Sequence, residues 1–251
     1  MEPGGVRRAV QLVAGGRRII ALSGAGLSTP SGIPDFRSPT SGLWNQIDAM
    51  QVASIWAFRT NPVAFYTWFA PLGRAIRAAR PNAAHTALVE LEQMGKLRSL
   101  ITQNIDGLHQ SAGSRRVLEL HGHIREAVCM SCRKTVPASG PYEDIVCRGE
   151  VPHCKACDGV LKPAVVLYGE PLAQATLREA QAEALSCDVL LVAGCSLEVA
   201  PACDLPLMAR RAGARLIIVN YETTPLDDVA DVVVHDDVSR VLPALVTGLR
   251  G

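Results

Sequence analysis

The chain has 251 residues, 48% of them hydrophobic and 20% charged, with a net charge of +1. That length and apolar content suit one large domain with a subdomain. The balanced charge gives no basic surface for nucleic acid and no charged tail for a membrane. No apolar run reaches the roughly 18 residues of a spanning helix.

Residues 1–8 hold no apolar run behind a basic flank, so no secretory leader is expected. Arg17 and Arg18 lead into Ile19-Ile20-Ala21-Leu22, which ends at Ser23-Gly24 and reads as a buried parallel strand. A glycine loop, Gly24-Ala25-Gly26-Leu27-Ser28, follows. Residues 37–80 carry Trp44, Trp56, Phe58, Phe65, Tyr66, Trp68 and Phe69, the content of a small helical insertion with its own apolar surface. Pro81-Asn82 opens a helix over 83–94, and Gly95 closes it. Strands are predicted over 97–102, 117–120, 188–193 and 215–220, and helices over 172–185, 201–212 and 238–249. This alternation predicts an α/β fold, a Rossmann-like doubly wound parallel sheet, with its ligand at the carboxyl ends of the strands. One domain over 1–251 is expected, with its core in 1–36, 81–124 and 161–251, the helical insertion in 37–80 and a small zinc-binding lobe in 125–160.

The lobe is read from Cys129-Met130-Ser131-Cys132 and Cys154-Lys155-Ala156-Cys157. Two such clips can close a tetrahedral thiolate shell around Zn2+ with no open position, which makes the metal structural. A reactive dithiol is the competing reading. Cys147 lies near but forms no clip, and Cys187, Cys195 and Cys203 read as small core residues. Zinc thiolates suit a reducing compartment, so a cytoplasmic location is expected.

Gly24-x-Gly26 after a strand is the context in which backbone amides approach a pyrophosphate, although a tight turn would need the same glycines. Thr29 stands where a third glycine is usual, and the next convincing strand begins only near Leu97. Ser31-Gly32-Ile33-Pro34-Asp35-Phe36-Arg37 instead continues as a long loop. This argues against a simple dehydrogenase and for a loop folded over the nicotinamide end of NAD. Gln103-Asn104-Ile105-Asp106 also follows a strand, where its amides and carboxylate can hold ribose hydroxyls or a carboxamide; an Asx-capped turn is the alternative. His121 ends the 117–120 strand, placed for general-base work near neutral pH or for a structural role.

These motifs, in this order, with Val165-Val166-Leu167-Tyr168-Gly169-Glu170 and Gly194-Cys195-Ser196 after them, resemble the sirtuins from about Ile19 to Leu245. The compact bacterial and archaeal members are the nearest in form. The resemblance implies removal of acyl groups from lysine at the expense of NAD, giving nicotinamide, lysine and 2′-O-acyl-ADP-ribose. It implies His121, Asn104 and Asp106 as the catalytic residues, with His121 taking a proton from the ribose hydroxyls. Gly24, Ala25, Gly26, Ser28, Arg37 and Gln103 would contact phosphates and ribose. Asp35 and Ile105 would hold the carboxamide, and Phe36 would shield the sugar. Gly194, Ser196, Asn220 and Val238 would hold the adenosine half. A substrate peptide would lie as a strand between Gly169-Glu170 and Leu197-Glu198-Val199, with the acyl-lysine passing Val166 and Tyr168. No nucleic acid or membrane partner and a monomeric state are expected.

The sequence departs from the family pattern at Cys195, where Ser or Thr is common, at Leu167-Tyr168, where an aromatic pair is usual, and at Ala164, where Asp or Asn is common. Relatives that take succinyl or malonyl groups carry a Tyr-x-x-Arg pair. Here Tyr66 begins such a pair but Phe69 stands in the Arg position. An unpaired carboxylate there would be costly, so Tyr66 and Phe69 predict uncharged acyl groups, acetyl and longer aliphatic chains. An ADP-ribosyltransferase and a non-catalytic NAD- and zinc-binding module are the rival readings.

Overall fold

A computed structural model of the chain describes residues 3–35, 42 and 47–251. Phe36, Arg37 and Trp44 lie outside the described residues. Six parallel strands form the main sheet: β1 (Ile19–Ser23), β2 (Leu97–Thr102), β3 (Val117–Glu119), β7 (Val189–Ala193), β8 (Arg215–Val219) and β9 (Val232–Val234), in the order β3-β2-β1-β7-β8-β9. Every residue of β1 and β7 is buried, as strands covered on both faces require. One face packs on α1 (Pro3–Gly15), α5 (Ala83–Gln93) and α10 (Val238–Arg250). The other packs on α8 (Gln174–Ser186) and α9 (Asp204–Arg211). The order reverses at β1 and β7, so the loops after these two neighbours flank a crevice.

The helical insertion comprises α2 (Ala49–Val52), α3 (Ile55–Thr60) and α4 (Pro62–Ala78). Phe58, Phe65, Tyr66, Phe69, Leu72 and Ile76 are buried with Val165 and Leu167, which makes the insertion a second core against the main domain. Phe65 meets Phe58 edge-on at 5.0 Å and stacks on Phe69 at 5.4 Å. Burying each such ring contributes about 1.5–3 kcal/mol.

A separate antiparallel sheet, β5-β4-β6, is built from β4 (Gly122–Cys129), β5 (Thr135–Pro137) and β6 (Leu161–Val165), with α7 (Pro141–Cys147) beside it. Among the described residues its core is only Ala127, Cys129, Ala138, Cys154 and Leu161 with two partly buried neighbours. A core that small needs a metal or another staple. Between β2 and β3 lies the short α6 (Leu108–Ala112).

Candidate active site

The loops after β1, β2 and β7 enclose one continuous cavity of about 850 Å³. Gly24, Ala25, Gly26 and Ser28 line it from β1, and Gln103, Asn104, Ile105 and Asp106 from β2. Gly194, Cys195 and Ser196 line it from β7, with Asn220 after β8 and Val238 at the start of α10. Asp35, His121, Val166, Tyr168, Gly169, Glu170, Val199 and Phe69 complete the set of expected site residues that share this cavity. Among the described residues, two expected ones fall outside its lining. Leu197 packs into the core beneath, its backbone in the left-handed region at φ 58°. Tyr66 is fully buried and its hydroxyl donates to the Leu161 carbonyl, so it faces the small sheet and not the cavity. The Tyr-x-x-Arg comparison therefore rests on Phe69 alone.

The glycine loop works differently from a row of open amides. Gly24 N–H donates to the Ala193 carbonyl at 3.3 Å, and Gly26 N–H to the Gly194 carbonyl at 2.9 Å. Leu27 N–H and Ser28 N–H close turns onto Gly24 and Ala25. A Cβ on Gly24 would meet the Gly194 oxygen at 2.8 Å, and one on Gly194 would meet the Leu27 nitrogen at 2.2 Å. The glycines thus let two loops seat backbone on backbone, and among residues 24–28 it is the Ala25 amide that remains for a ligand.

The β2 loop is held by side chains. Asn104 Nδ2 donates to the Gly24 carbonyl at 3.0 Å and to Ser28 Oγ at 3.1 Å. Ser28 Oγ donates to Asp106 Oδ2 at 2.7 Å, and Asp106 Oδ1 accepts the Leu108 N–H at 2.9 Å. Burial raises the Asp106 pKa, and these two donors oppose the rise. His121 Nδ1 lies 3.0 Å from the Gln103 carbonyl. A carbonyl only accepts, so Nδ1 carries the proton and Nε2 is the basic nitrogen. Gln103 Nε2 donates to Cys195 Sγ at 3.1 Å, so the Cys195 departure keeps a polar link across the cavity.

The 167–170 edge of the cavity is held by Ala53, Ile55 and Lys162, which the sequence did not single out. Tyr168 pairs with the helical insertion through Tyr168 N–H to Ala53 O at 3.0 Å and Ile55 N–H to Tyr168 O at 2.9 Å. Gly169 sits at φ 84° directly under the Trp56 ring, where a Cβ would approach to 2.2 Å. Glu170 lines the cavity with one carboxylate oxygen already engaged. Its Oε2 accepts from buried Lys162 Nζ and from Leu167 N–H, both at 2.9 Å. Nothing in the Lys162-Pro163 dipeptide signalled this clip. Phe65, Trp68, Phe69, Leu72 and Ile76 form an apolar arm of the cavity. Their spacing of three to four residues is a helical stripe, a signal present in the sequence.

At the other lobe, Cys129, Cys132, Cys154 and Cys157 bring four Sγ atoms within 4.8 Å of one another. Cys129 and Cys157 sulfurs are 3.5 Å apart, and Cys132 and Cys154 sulfurs 3.9 Å. Tetrahedral zinc at 2.3 Å from each sulfur requires about 3.8 Å between them. The Cys132 N–H pulls the Cys129 thiol down to about 6, toward the thiolate a metal needs. Cys147 stands outside this cluster. The donor set fits Zn2+, and its four positions leave none for substrate.

A switch-point crevice with polar loops and a separate four-thiolate lobe is the form of a nucleotide-binding α/β protein with a structural metal centre. The chain belongs to the Sir2 family, whose profile matches residues 24–201. It is 46% identical over 246 residues to NAD-dependent protein deacylase 2 of Archaeoglobus fulgidus, covering 98% of this chain and 96% of that protein. A solved Sir2 variant with a deacetylated p53 peptide and 3′-O-acetyl ADP ribose superposes with TM-score 0.89 at 38% identity, covering 95% and 96% of the two chains. Sir2Af2 bound to a myristoylated histone peptide superposes with TM-score 0.85 at 40% identity, covering 100% and 98%.

Proposed function

We propose that this chain is an NAD-dependent protein-lysine deacylase acting on uncharged acyl groups. The observation that carries the reading is the convergence of His121, Asn104 and Asp106 on one cavity that also reaches Asn220 and Val238. Bound NAD supplies a sugar carbon that turns electrophilic as nicotinamide leaves, and it carries the acyl group away as acyl-ADP-ribose. Asn104 Oδ1 and Asp106 orient the nicotinamide ribose, and Asp35 with the Ile105 backbone holds the carboxamide. His121 Nε2 takes a proton from a ribose hydroxyl, and the Gln103 carbonyl keeps its tautomer fixed. Gly194, Ser196, Asn220 and Val238 receive the adenosine half. The enclosed walls keep water away from the reacting carbon until the acyl group has moved.

An acyl-lysine peptide lies along Gly169, whose backbone is unused among the described residues, opposite Glu198 and Val199. Its acyl chain enters past Val166 and Tyr168 toward Phe65, Phe69, Leu72 and Ile76. Among the described residues that arm carries no cation for a carboxylate, and the myristoylated peptide on Sir2Af2 supports room for long chains in a close relative. Among the described residues no helix is long and apolar enough to cross a membrane, and a cytoplasmic monomer remains our reading. The test is a panel of acetyl-, decanoyl- and succinyl-lysine peptides with NAD, read as nicotinamide release and acyl-ADP-ribose by mass spectrometry. No nicotinamide with any peptide overturns the reading, and ADP-ribose found on protein instead of on the acyl group makes the chain a transferase.

A further inference from the structure

Behind the cavity floor, two histidines take no part in the chemistry derived above. His85 and His109 are buried, with ring centroids 4.9 Å apart. Burial pushes His85 down to about 4 and His109 to about 3, the latter also by its neighbour, so both imidazoles are neutral and each holds one proton. The partners fix where that proton sits. The Asn82 N–H donates to His85 Nδ1 at 3.3 Å, which leaves the His85 proton on Nε2. Ser23 Oγ gives its one proton to Thr102 Oγ1 at 2.8 Å, so at its 2.9 Å contact with His109 Nε2 it accepts. His109 therefore carries its proton on Nε2 and has a bare Nδ1. Of this pair, the ring nitrogens with no partner among the described residues are His85 Nε2 and His109 Nδ1, a donor and an acceptor on adjacent rings.

From Thr102 the chain of bonds runs to the cavity. Thr102 Oγ1 accepts the Asn104 N–H at 3.0 Å. The Asn104 amide gives both hydrogens away, to the Gly24 carbonyl and Ser28 Oγ. Because the Gly24 oxygen can only accept, the amide cannot be reversed, and Oδ1 is what it presents to the cavity. Ser28 passes its proton to Asp106, and Asp106 caps Leu108, the residue before His109. The bonds close into a circuit.

We propose that His109 is a positioning residue for deacylation: its Nε2–H sets the direction of the Ser23–Thr102 hydroxyl pair and so aims Asn104 and Asp106 at the nicotinamide ribose. The role rests on the deacylase reading above. Without that donor, Ser23 and Thr102 exchange donor and acceptor roles, and the loop start loses its single arrangement.

The test uses the whole chain with zinc. Long-range proton–nitrogen NMR of histidine-labelled protein at pH 7 is expected to report His109 as the Nε2–H tautomer. His109→Gln keeps an N–H near the same place and should stay within about threefold of wild type. His109→Leu removes it and should lower kcat/KM for NAD about tenfold, the worth of one buried hydrogen bond, with peptide KM within about twofold. An Nδ1–H tautomer, a folded His109→Leu variant with wild-type kinetics, or equal losses in Gln and Leu would each overturn the proposal. Should His109→Leu melt below the assay temperature, Ser23→Ala cuts the same link and is held to the same split. Wild-type protein that shows the Nε2–H tautomer yet releases no nicotinamide refutes the deacylase reading and leaves the circuit standing.

Discussion

His121 Nδ1 and the Gln103 carbonyl oxygen, 3.0 Å apart, join the proposed base to the loop that follows β2. His121→Ala removes the base but no wall of the adenosine half. Deacylation should fall by about 10²–10⁴, the usual contribution of a positioned base, while NAD affinity by calorimetry changes less than about threefold. Turnover within a factor of three of wild type would remove His121 from this role.

The apolar arm gives a chain-length prediction. Leu72→Trp adds bulk to the apolar arm that Phe69, Leu72 and Ile76 line. Decanoyl turnover should drop at least about fivefold, the low end of what overpacking a close-packed interior costs, and acetyl turnover should hold within about threefold. Succinyl peptides should be the poorest substrates of the wild type. Equal loss on both chain lengths would show that long acyl groups lie elsewhere.

Lys162 and Glu170 give a prediction about the peptide. Burial lowers the Lys162 pKa and Glu170 counters that, so the pair depends on both partners. Lys162→Met leaves the Glu170 carboxylate half-buried without its cation. The expected result is a peptide KM raised several-fold with KM for NAD within about twofold. If both rise together, the clip serves the fold at large.

At the metal lobe, Cys154→Ser removes one of the four sulfurs. Elemental analysis should fall from about one zinc per chain toward none, since a structural site of this kind needs its full shell. A lower melting temperature should accompany the loss, because the lobe core is so small. Full activity of zinc-free, folded protein would show that the lobe is dispensable.

Acid should destabilise the protein through the buried histidines. Both have pKa values depressed on folding, His109 to about 3 and His85 to about 4. The unfolded chain therefore binds more protons below about pH 6.5, so stability falls as pH drops from there toward 4. The two together are worth a few kcal/mol over that window. Melting curves between pH 7 and 4.5 should show a steeper decline for wild type than for His109→Gln. Parallel curves would mean that His109 does not stay neutral when folded.

Most of the fold could be read from the chain because its strands are continuous apolar runs between capped helices. Val232–Val234 escaped because three valines are too short a run to separate from a loop. Pro3–Gly15 escaped because its stripe of Val6, Ala9, Val10 and Val13 sits among arginines and glycines. At the site, the motif residues announced themselves by type. The direction of Tyr66 could not, since one helical position decides whether a ring faces the cavity or the small sheet. Lys162 was hidden for another reason: its partner, Glu170, is reached only through the turn at 167–170.

The seam where Gly24, Gly26 and Gly194 interlock bears on how such chains are judged. Those three positions are locked by contact between two loops, whether or not any reaction occurs above them. A descendant that had lost all chemistry would still be obliged to retain them in order to fold. Inactive copies should therefore be sought by losses at His121, Asn104 or Asp106, and an intact glycine signature says nothing about whether the engine still runs.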